Sequence, residues 1–329
     1  MNRRAFITLL GGTAAAWPFT VRAQQGERVR RIGVLMVYPE DDPEGQLRAV
    51  AFRQGLQQLG WTEGRNVRID FRWAAGVTER FRSHAAELAA LTPDVILATA
   101  SPSVGALQQV THAVPIVFVS VVDPVGAGIV PNLARPGGNI TGFTLFEYAI
   151  SGKWLEQLKE IAPIVTRVAV LRDSASPAGI GQFAAIQSAA SSLGVELVPL
   201  GKHDSVEIER GITEFARSAN GAMIVTASAS ARVHRELIIK LAARHRLPAV
   251  YSDRLFVAAG GLLAYGPDRV DLYRRAAGYI DRILRGEKSG DLPVQAPTRY
   301  QLAVNLNTAK TLGLAIPPTL LARADEVIE

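Results

Sequence analysis

The feature that most constrains this chain is a rhythm. Short apolar runs alternate with amphipathic segments along most of its length. Arg31–Val37 is apolar and rich in β-branched residues. Residues 44–60 follow, with Leu47, Val50, Ala51, Gly55, Leu56 and Leu59 at helical spacing and Gly60 as a stop. Further strands are predicted at 66–73, 94–99, 115–120, 167–173, 194–200, 221–226, 248–252 and 260–266. Helices are predicted at 78–91, 101–110, 177–192, 205–218, 230–245 and 268–285. The last carries Leu272, Ala276, Tyr279, Ile280, Ile283 and Leu284 on one face. Near-continuous apolar strands suit parallel sheets covered on both faces, and strand–helix alternation implies right-handed crossovers. The predicted class is α/β with doubly wound parallel sheets.

A chain of 329 residues exceeds the size of one typical domain, about 100–200 residues. The rhythm breaks between Val121 and Ile140, where Asp123-Pro124 and Ala134-Arg-Pro-Gly-Gly-Asn139 form a long irregular segment. Loops of that length inside compact chains are usually functional. Two lobes with a cleft between them are therefore expected.

Residues 1–23 read as an address. Arg3-Arg4 is a basic head, Phe6–Trp17 an apolar stretch, and Pro18 a helix stop. Val21 and Ala23 flank Arg22 as the small residues of a cleavage site before Gln24. The Arg pair followed by Ala5-Phe6-Ile7 matches a twin-arginine export signal. About 20 apolar residues are needed to span a bilayer, and this stretch is too short for an anchor. The mature chain is expected outside the cytoplasm, in the periplasm, without stable insertion in a membrane.

The chain carries 36 basic and 30 acidic residues, a formal charge of +6. Three of the arginines, Arg3, Arg4 and Arg22, lie in the address segment. The remaining excess is small and spread out, which argues against a nucleic-acid partner. There is no cysteine, which excludes disulfides, Cys-ligated metals, thiol catalysis and a lipidated N-terminal cysteine. No phosphate-cradling G-x-x-x-x-G-K-[ST] and no G-x-S-x-G nucleophile elbow is present. His84, His112, His203, His234 and His245 do not show the paired spacing of a zinc helix. Neither a metal nor a cofactor is expected, and no catalytic residue is assigned.

What recurs is small polar residues at strand ends, the place where open α/β sheets bind ligands. These are Tyr38, Thr99, Ser101, Ser120 and Asp123 in the first half, and Thr144, Ser174, Ser228, Asp253 and Tyr265 in the second. Ser, Thr and Asp are also ordinary helix N-caps, which is the alternative for each. Hydroxyls and helix N-terminal amides suit a carboxylate, Asp123 or Asp253 an ammonium, and Tyr38 and Tyr265 a wall with a polar tip. The inventory fits a small zwitterionic or polar ligand without a reactive group aimed at it.

Several stretches carry a family resemblance. They are Ser120-Val-Val-Asp-Pro-Val-Gly-Ala-Gly-Ile-Val130, Leu133-Ala-Arg-Pro-Gly-Gly-Asn-Ile-Thr-Gly142, Tyr265-Gly266, Leu292-Pro-Val294, Asn305-Leu-Asn-Thr-Ala-Lys310, Leu312-Gly-Leu314 and the tail from Ile316 to Glu329. In these the chain resembles the solute-binding components of ABC importers related to tryptophan- and tyrosine-type binding proteins. The resemblance implies a type I periplasmic-binding-protein fold, with three hinge crossings near 121–124, 252–254 and 289–296. Lobe 1 would then span 30–121 plus 254–288, and lobe 2 would span 122–253 plus 289–329. It also implies a monomer that captures a small molecule by hinge closure and delivers it to a membrane permease with a separate ATPase subunit. The aromatic ligand of one branch does not carry over from these residues. Two rivals remain at this point. One is an exported two-lobed enzyme using Asp123 or Asp253 as acid or base. The other is a ligand sensor presenting to a signalling receptor.

Overall fold

The computed structural model describes residues 28–145, 147–201 and 204–329, with the side chain of Ala229 left aside. The expected export signal lies outside the described residues.

The first sheet contains β1 (Arg30–Met36), β2 (Val67–Trp73), β3 (Val95–Thr99), β4 (Ile116–Val121) and β5 (Ile140–Thr144). Its order is β2-β1-β3-β4-β5, and every pair is parallel. Residues 32–36 of β1 and all of β3 are buried, as expected for strands covered on both faces. Between the strands run α1 (Pro43–Gln58), α2 (Thr78–Ala90) and α3 (Ala100–Gln108). Pro43 opens α1, and the Asp42 carboxylate accepts from the Gly45 amide at 2.7 Å.

The chain continues through α4 (Ile150–Ile161), β6 (Arg167–Leu171), α5 (Pro177–Leu193), β7 (Glu196–Leu200), α6 (Ser205–Phe215) and β8 (Gly221–Val225). Next come α7 (Ala229–Val233), α8 (Arg235–Arg244), β9 (Ala249–Tyr251), α9 (Arg254–Ala258) and β10 (Leu263–Pro267). The last elements are α10 (Arg269–Leu284), a 3-10 turn at Ser289–Asp291, β11 (Tyr300–Asn305), α11 (Leu306–Leu312), α12 (Pro318–Leu321) and β12 (Glu326–Ile328). The second sheet has the order β12-β11-β10-β9-β8-β6-β7, antiparallel only between β10 and β11. Its run β10-β9-β8-β6-β7 repeats the order of the first sheet. Two doubly wound lobes result, in the type I periplasmic-binding-protein arrangement.

The sheets divide the chain differently from the sequence expectation. The first crossing was expected at 121–124, but β5 pairs with β4 in register Ile116↔Ile140 to Val119↔Phe143. Residues 122–145 therefore stay with the first lobe. A Cβ on Gly142 would overlap the Phe118 carbonyl, so glycine is what lets β5 close on β4. The second crossing was expected at 252–254. Instead α9 and β10 remain with the second sheet, and the chain crosses at Pro267–Asp268. Helix α10 then lies against α1 in the first lobe. A Cβ on Gly55 would sit 2.8 Å from that of Ala277, so the two helices touch nearly backbone to backbone. The third crossing falls after residue 296. Residues 292–295 lie along β5, with Gln295 N donating to Gly142 O at 3.0 Å and Thr144 N to Gln295 O at 2.8 Å. The single helix expected over 230–245 is two, broken at His234. Both outgoing crossings leave the carboxyl ends of parallel strands, β5 and β10. The strand ends of each lobe therefore point toward the other lobe.

Candidate functional site

Polar bridges join the lobes at these strand ends. Tyr38, just after β1, accepts a hydrogen bond from Arg232 Nη1 of α7 at 2.8 Å. Tyr148, at the start of α4, donates to Asp123 Oδ2 at 2.9 Å and lies 3.4 Å from the Pro177 carbonyl. Arg254 of α9 pairs with Glu44 of α1 at 3.0 Å.

The first bridge continues into a buried charge cluster. Arg232 Nη2 meets Asp253 Oδ2 at 3.0 Å, and Arg269 Nε meets the same oxygen at 3.1 Å. Asp253 Oδ1 also caps α9 by accepting from Leu255 N at 3.1 Å. Burial alone raises the pKa of this carboxyl. Arg269, Arg232 and Arg48 outweigh that and hold it at about 2. Arg48 lies 4.7 Å above the Tyr38 ring and pairs with Glu44 at 3.2 Å. Burial raises the Tyr38 phenol in turn, but Arg232, Arg48 and Arg269 bring it below its ordinary value. Burial and the bond to Asp123 both raise the Tyr148 phenol, which keeps it a donor.

The ten candidates separate into three groups. Tyr38 and Asp253 are brought together through Arg232. Ser101 in the first turn of α3, Ser120 in β4 and Asp123 just past it lie at the first sheet, and Ser174 and Ser228 follow strands of the second, with Ser101 and Ser174 exposed. Ser120 sits at φ 62° and Ala100, the first residue of α3, at φ 63°, left-handed conformations that are strained for residues with a Cβ. Ser228 Oγ accepts from Ala231 N at 3.0 Å as the cap of α7, and Asp123 Oδ1 accepts from Gly126 N at 2.7 Å. The third group is engaged inside the fold. Thr99 Oγ1 accepts from Val37 N at 2.7 Å and donates to Leu35 O at 3.1 Å, tying β3 to β1. Thr144 is buried, with its amide and hydroxyl both directed to the Gln295 carbonyl. The Tyr265 ring stacks on Tyr300 at 5.8 Å, and its carbonyl accepts from the buried Trp154 indole at 2.7 Å. These three side chains make contacts within their own surroundings and do not cap a helix.

Sequence reasoning missed Arg48, Arg232, Arg269 and Tyr148. A guanidinium on a helix reads as solvated surface, yet Arg48 is 2% exposed. The local signal was Glu44 and Arg48 at i, i+4 beside the apolar Ala49 and Phe52. Among the described residues, no group of three or more His, Asp or Glu is placed to hold a metal ion. No described helix is long and apolar enough to cross a membrane.

Two lobes of this topology, joined by three chain crossings, have the architecture of the type I periplasmic binding proteins. Residues 41–328 match the family model of the ABC transporter substrate binding protein, and the chain belongs to that family. It is a family of binding proteins, not of enzymes. A tyrosine-binding protein of Clostridioides difficile (strain R20291) is 27% identical over 263 residues, which are 80% of this chain and 75% of that protein. Among solved structures, a Streptococcus pneumonia ABC domain in complex with L-Trp is 25% identical, with a TM-score of 0.82 over 91% of this chain and 99% of that one. A ligand-free, open substrate-binding protein with adhesive properties from Clostridium difficile is 27% identical, with a TM-score of 0.74 over 91% and 99%.

Proposed function

We propose that this chain captures a small amino acid or related carboxylate between its lobes and delivers it to the membrane permease of an ABC importer. The observation that carries this reading is the Arg232 bridge, which runs from the strand end of one lobe to Tyr38 of the other. The family supplies the transport role, and the relatives named for tyrosine or solved with L-Trp support an amino-acid ligand. The chain also superposes more closely on the L-Trp complex than on the open ligand-free relative. The contacts proposed for the ligand are Ser101, Ser120 and Asp123 from one lobe and Ser174 and Ser228 from the other. Tyr38 and Asp253 form the frame around Arg232. Arg48 lies over one face of the Tyr38 ring, and the Tyr265 ring stacks on Tyr300.

Capture then follows from differential affinity. Moving a 1:99 mixture of closed and open forms to 99:1 takes about 5.5 kcal/mol. Two to four charge-assisted hydrogen bonds made only in the closed form, at about 1.5–3 kcal/mol each, supply it. The protein acts as an exported periplasmic monomer. Its leader carries Arg3-Arg4 and is cleaved before Gln24, and a separate subunit supplies ATP hydrolysis.

The test is mass spectrometry of small molecules released by denaturing freshly purified protein, followed by a thermal-shift screen of amino acids and carboxylates. A true ligand adds about 2.7 kcal/mol of apparent stability at a hundredfold excess over its Kd and is recovered unchanged. Chemical conversion of the ligand, or no response to any amino acid or carboxylate, overturns the reading.

A further inference from the structure

A cavity of about 390 Å³ lies beyond Asp253, at the hinge. Of the ten strand-end candidates only Asp253 lines it; Tyr38 and Arg232 do not. Asp253 is thus a wall shared by this cavity and the strand-end cleft. Both lobes build it. Arg48 of α1 and Arg269 of α10 come from the first lobe, and Arg254, Gln301 and Glu326 from the second. The crossing peptide Pro267–Asp268 passes through its lining. A volume of this size lies in the range of small-molecule sites.

Its charges are sorted by depth. The deep residues are Arg48, Asp253 and Arg269, at 2%, 5% and 9% exposure. Arg48 and Arg269 face two carboxylates here, Asp253, which is shared with Arg232, and Glu44, which is shared between Arg48 and Arg254. Arg48 uses Nη2 for Glu44, while its buried Nε and Nη1 have no hydrogen-bond partner. Burial pulls the Arg269 pKa down to about 10 although Asp253 opposes it. Of the outer charged residues, Asp268, Asp325 and Glu326 are acidic and Arg254 is basic. Asp268 accepts from Asp271 N, and Asp325 from Leu302 N, each through one oxygen. Their second oxygens make no hydrogen bond among the described residues. Glu326 is 3.7 Å from Arg254 and partly exposed.

Buried guanidinium N–H groups without an acceptor at the floor, under a mouth with three carboxylates, are the complement of a dipolar molecule. We propose that this hinge cavity is a second binding site, separate from the strand-end cleft, for a small zwitterion. Its carboxylate lies toward Arg48 and Arg269, and its ammonium toward Asp268, Asp325 and Glu326. A simple anion would meet the acidic mouth, and a simple cation the arginine floor, so both charges are required on one molecule. Because the cavity is walled by both lobes at a crossing, its occupant contacts groups that move apart on opening. Occupancy therefore favours the lobe arrangement that keeps those groups together. The site stands whatever ligand fills the strand-end cleft.

The test uses L-alanine and 4-aminobutyrate as the two zwitterions, with propionate and ethylamine as singly charged controls. Saturation-transfer NMR on the mature protein reads binding. At least one zwitterion is expected to saturate, and each control to bind at least tenfold more weakly. The double variant Asp325→Asn/Glu326→Gln changes only outer residues and should weaken the zwitterion at least tenfold with unchanged thermal unfolding. The cleft variant Ser101→Val should leave that binding unchanged. Three results overturn the site: no saturation by either zwitterion, controls that bind equally well, or binding that survives the double variant. Loss of the zwitterion in Ser101→Val also overturns it, and would place the molecule in the strand-end cleft, leaving the transport reading intact.

Discussion

Replacing Arg232 by Met tests how the lobes are held together. The substitution keeps most of the side-chain volume and removes the guanidinium. In the structure Arg232 makes one bond to its own lobe, to Asp253 at 3.0 Å, and one across the cleft, to Tyr38 at 2.8 Å. The first exists whether the lobes are open or closed, so its loss does not change their balance. Asp253 also keeps Arg269 at 3.1 Å and the Leu255 amide, so its charge is not stranded. The second bond exists only when the lobes meet. A hydrogen bond to a charged group contributes about 1.5–3 kcal/mol, so the closed form should lose about 10- to 150-fold in population. Single-molecule fluorescence transfer between labels on the two lobes reads that population. Tyr38→Phe removes the same bond from the other side, and the double variant should then be no worse than either single one. Independent additive effects of the two substitutions, or an Arg232→Met protein with the wild-type closed fraction and ligand affinity, would refute the reasoning.

Other outcomes follow from the same geometry. The Asp253 carboxyl is held at about 2, below its ordinary value near 3.8, so the stability it adds is complete above pH 4 and is lost as pH falls toward 2. Denaturant titrations from pH 7 down to 2 should show that fall, and Asp253→Asn should flatten this part of the profile. Thr99→Val should destabilise the fold by about 1–3 kcal/mol, because the Val37 amide loses its acceptor, while ligand affinity in the folded protein stays within about twofold. Gly55→Val drives a side chain into Ala277 and the Arg274 carbonyl, and urea unfolding should record a loss of about 1–3 kcal/mol.

The strands were legible because a strand covered on both faces leaves an unbroken apolar run, as in Val95–Ala98. The lobe boundaries were not. Whether Ile140–Thr144 ends one sheet or begins another depends on its pairing with Ile116–Val121 across a long loop, and local pattern carries no such information. The loop at 122–139 is irregular, as its Pro and Gly residues imply. It nevertheless returns to the first lobe, where Gly137 N reaches Gly290 O at 3.1 Å. At the site, residue type located the strand ends but did not separate a tie from a contact: Thr99 and Ser101 are two residues apart, one engaged with β1 and the other exposed. The arginines escaped because helix periodicity assigns charge to solvent. Arg48 and Arg269 are nonetheless buried, and both act on Asp253, a residue outside the window of either helix.

The central claim is that a ligand brings these lobes together. Small-angle X-ray scattering of the mature protein, with and without a saturating amount of the ligand found by mass spectrometry, tests it most directly. The account predicts a smaller radius of gyration with ligand, and a scattering curve that matches the arrangement in which Arg232 touches Tyr38. Superimposable curves in the two states would contradict it.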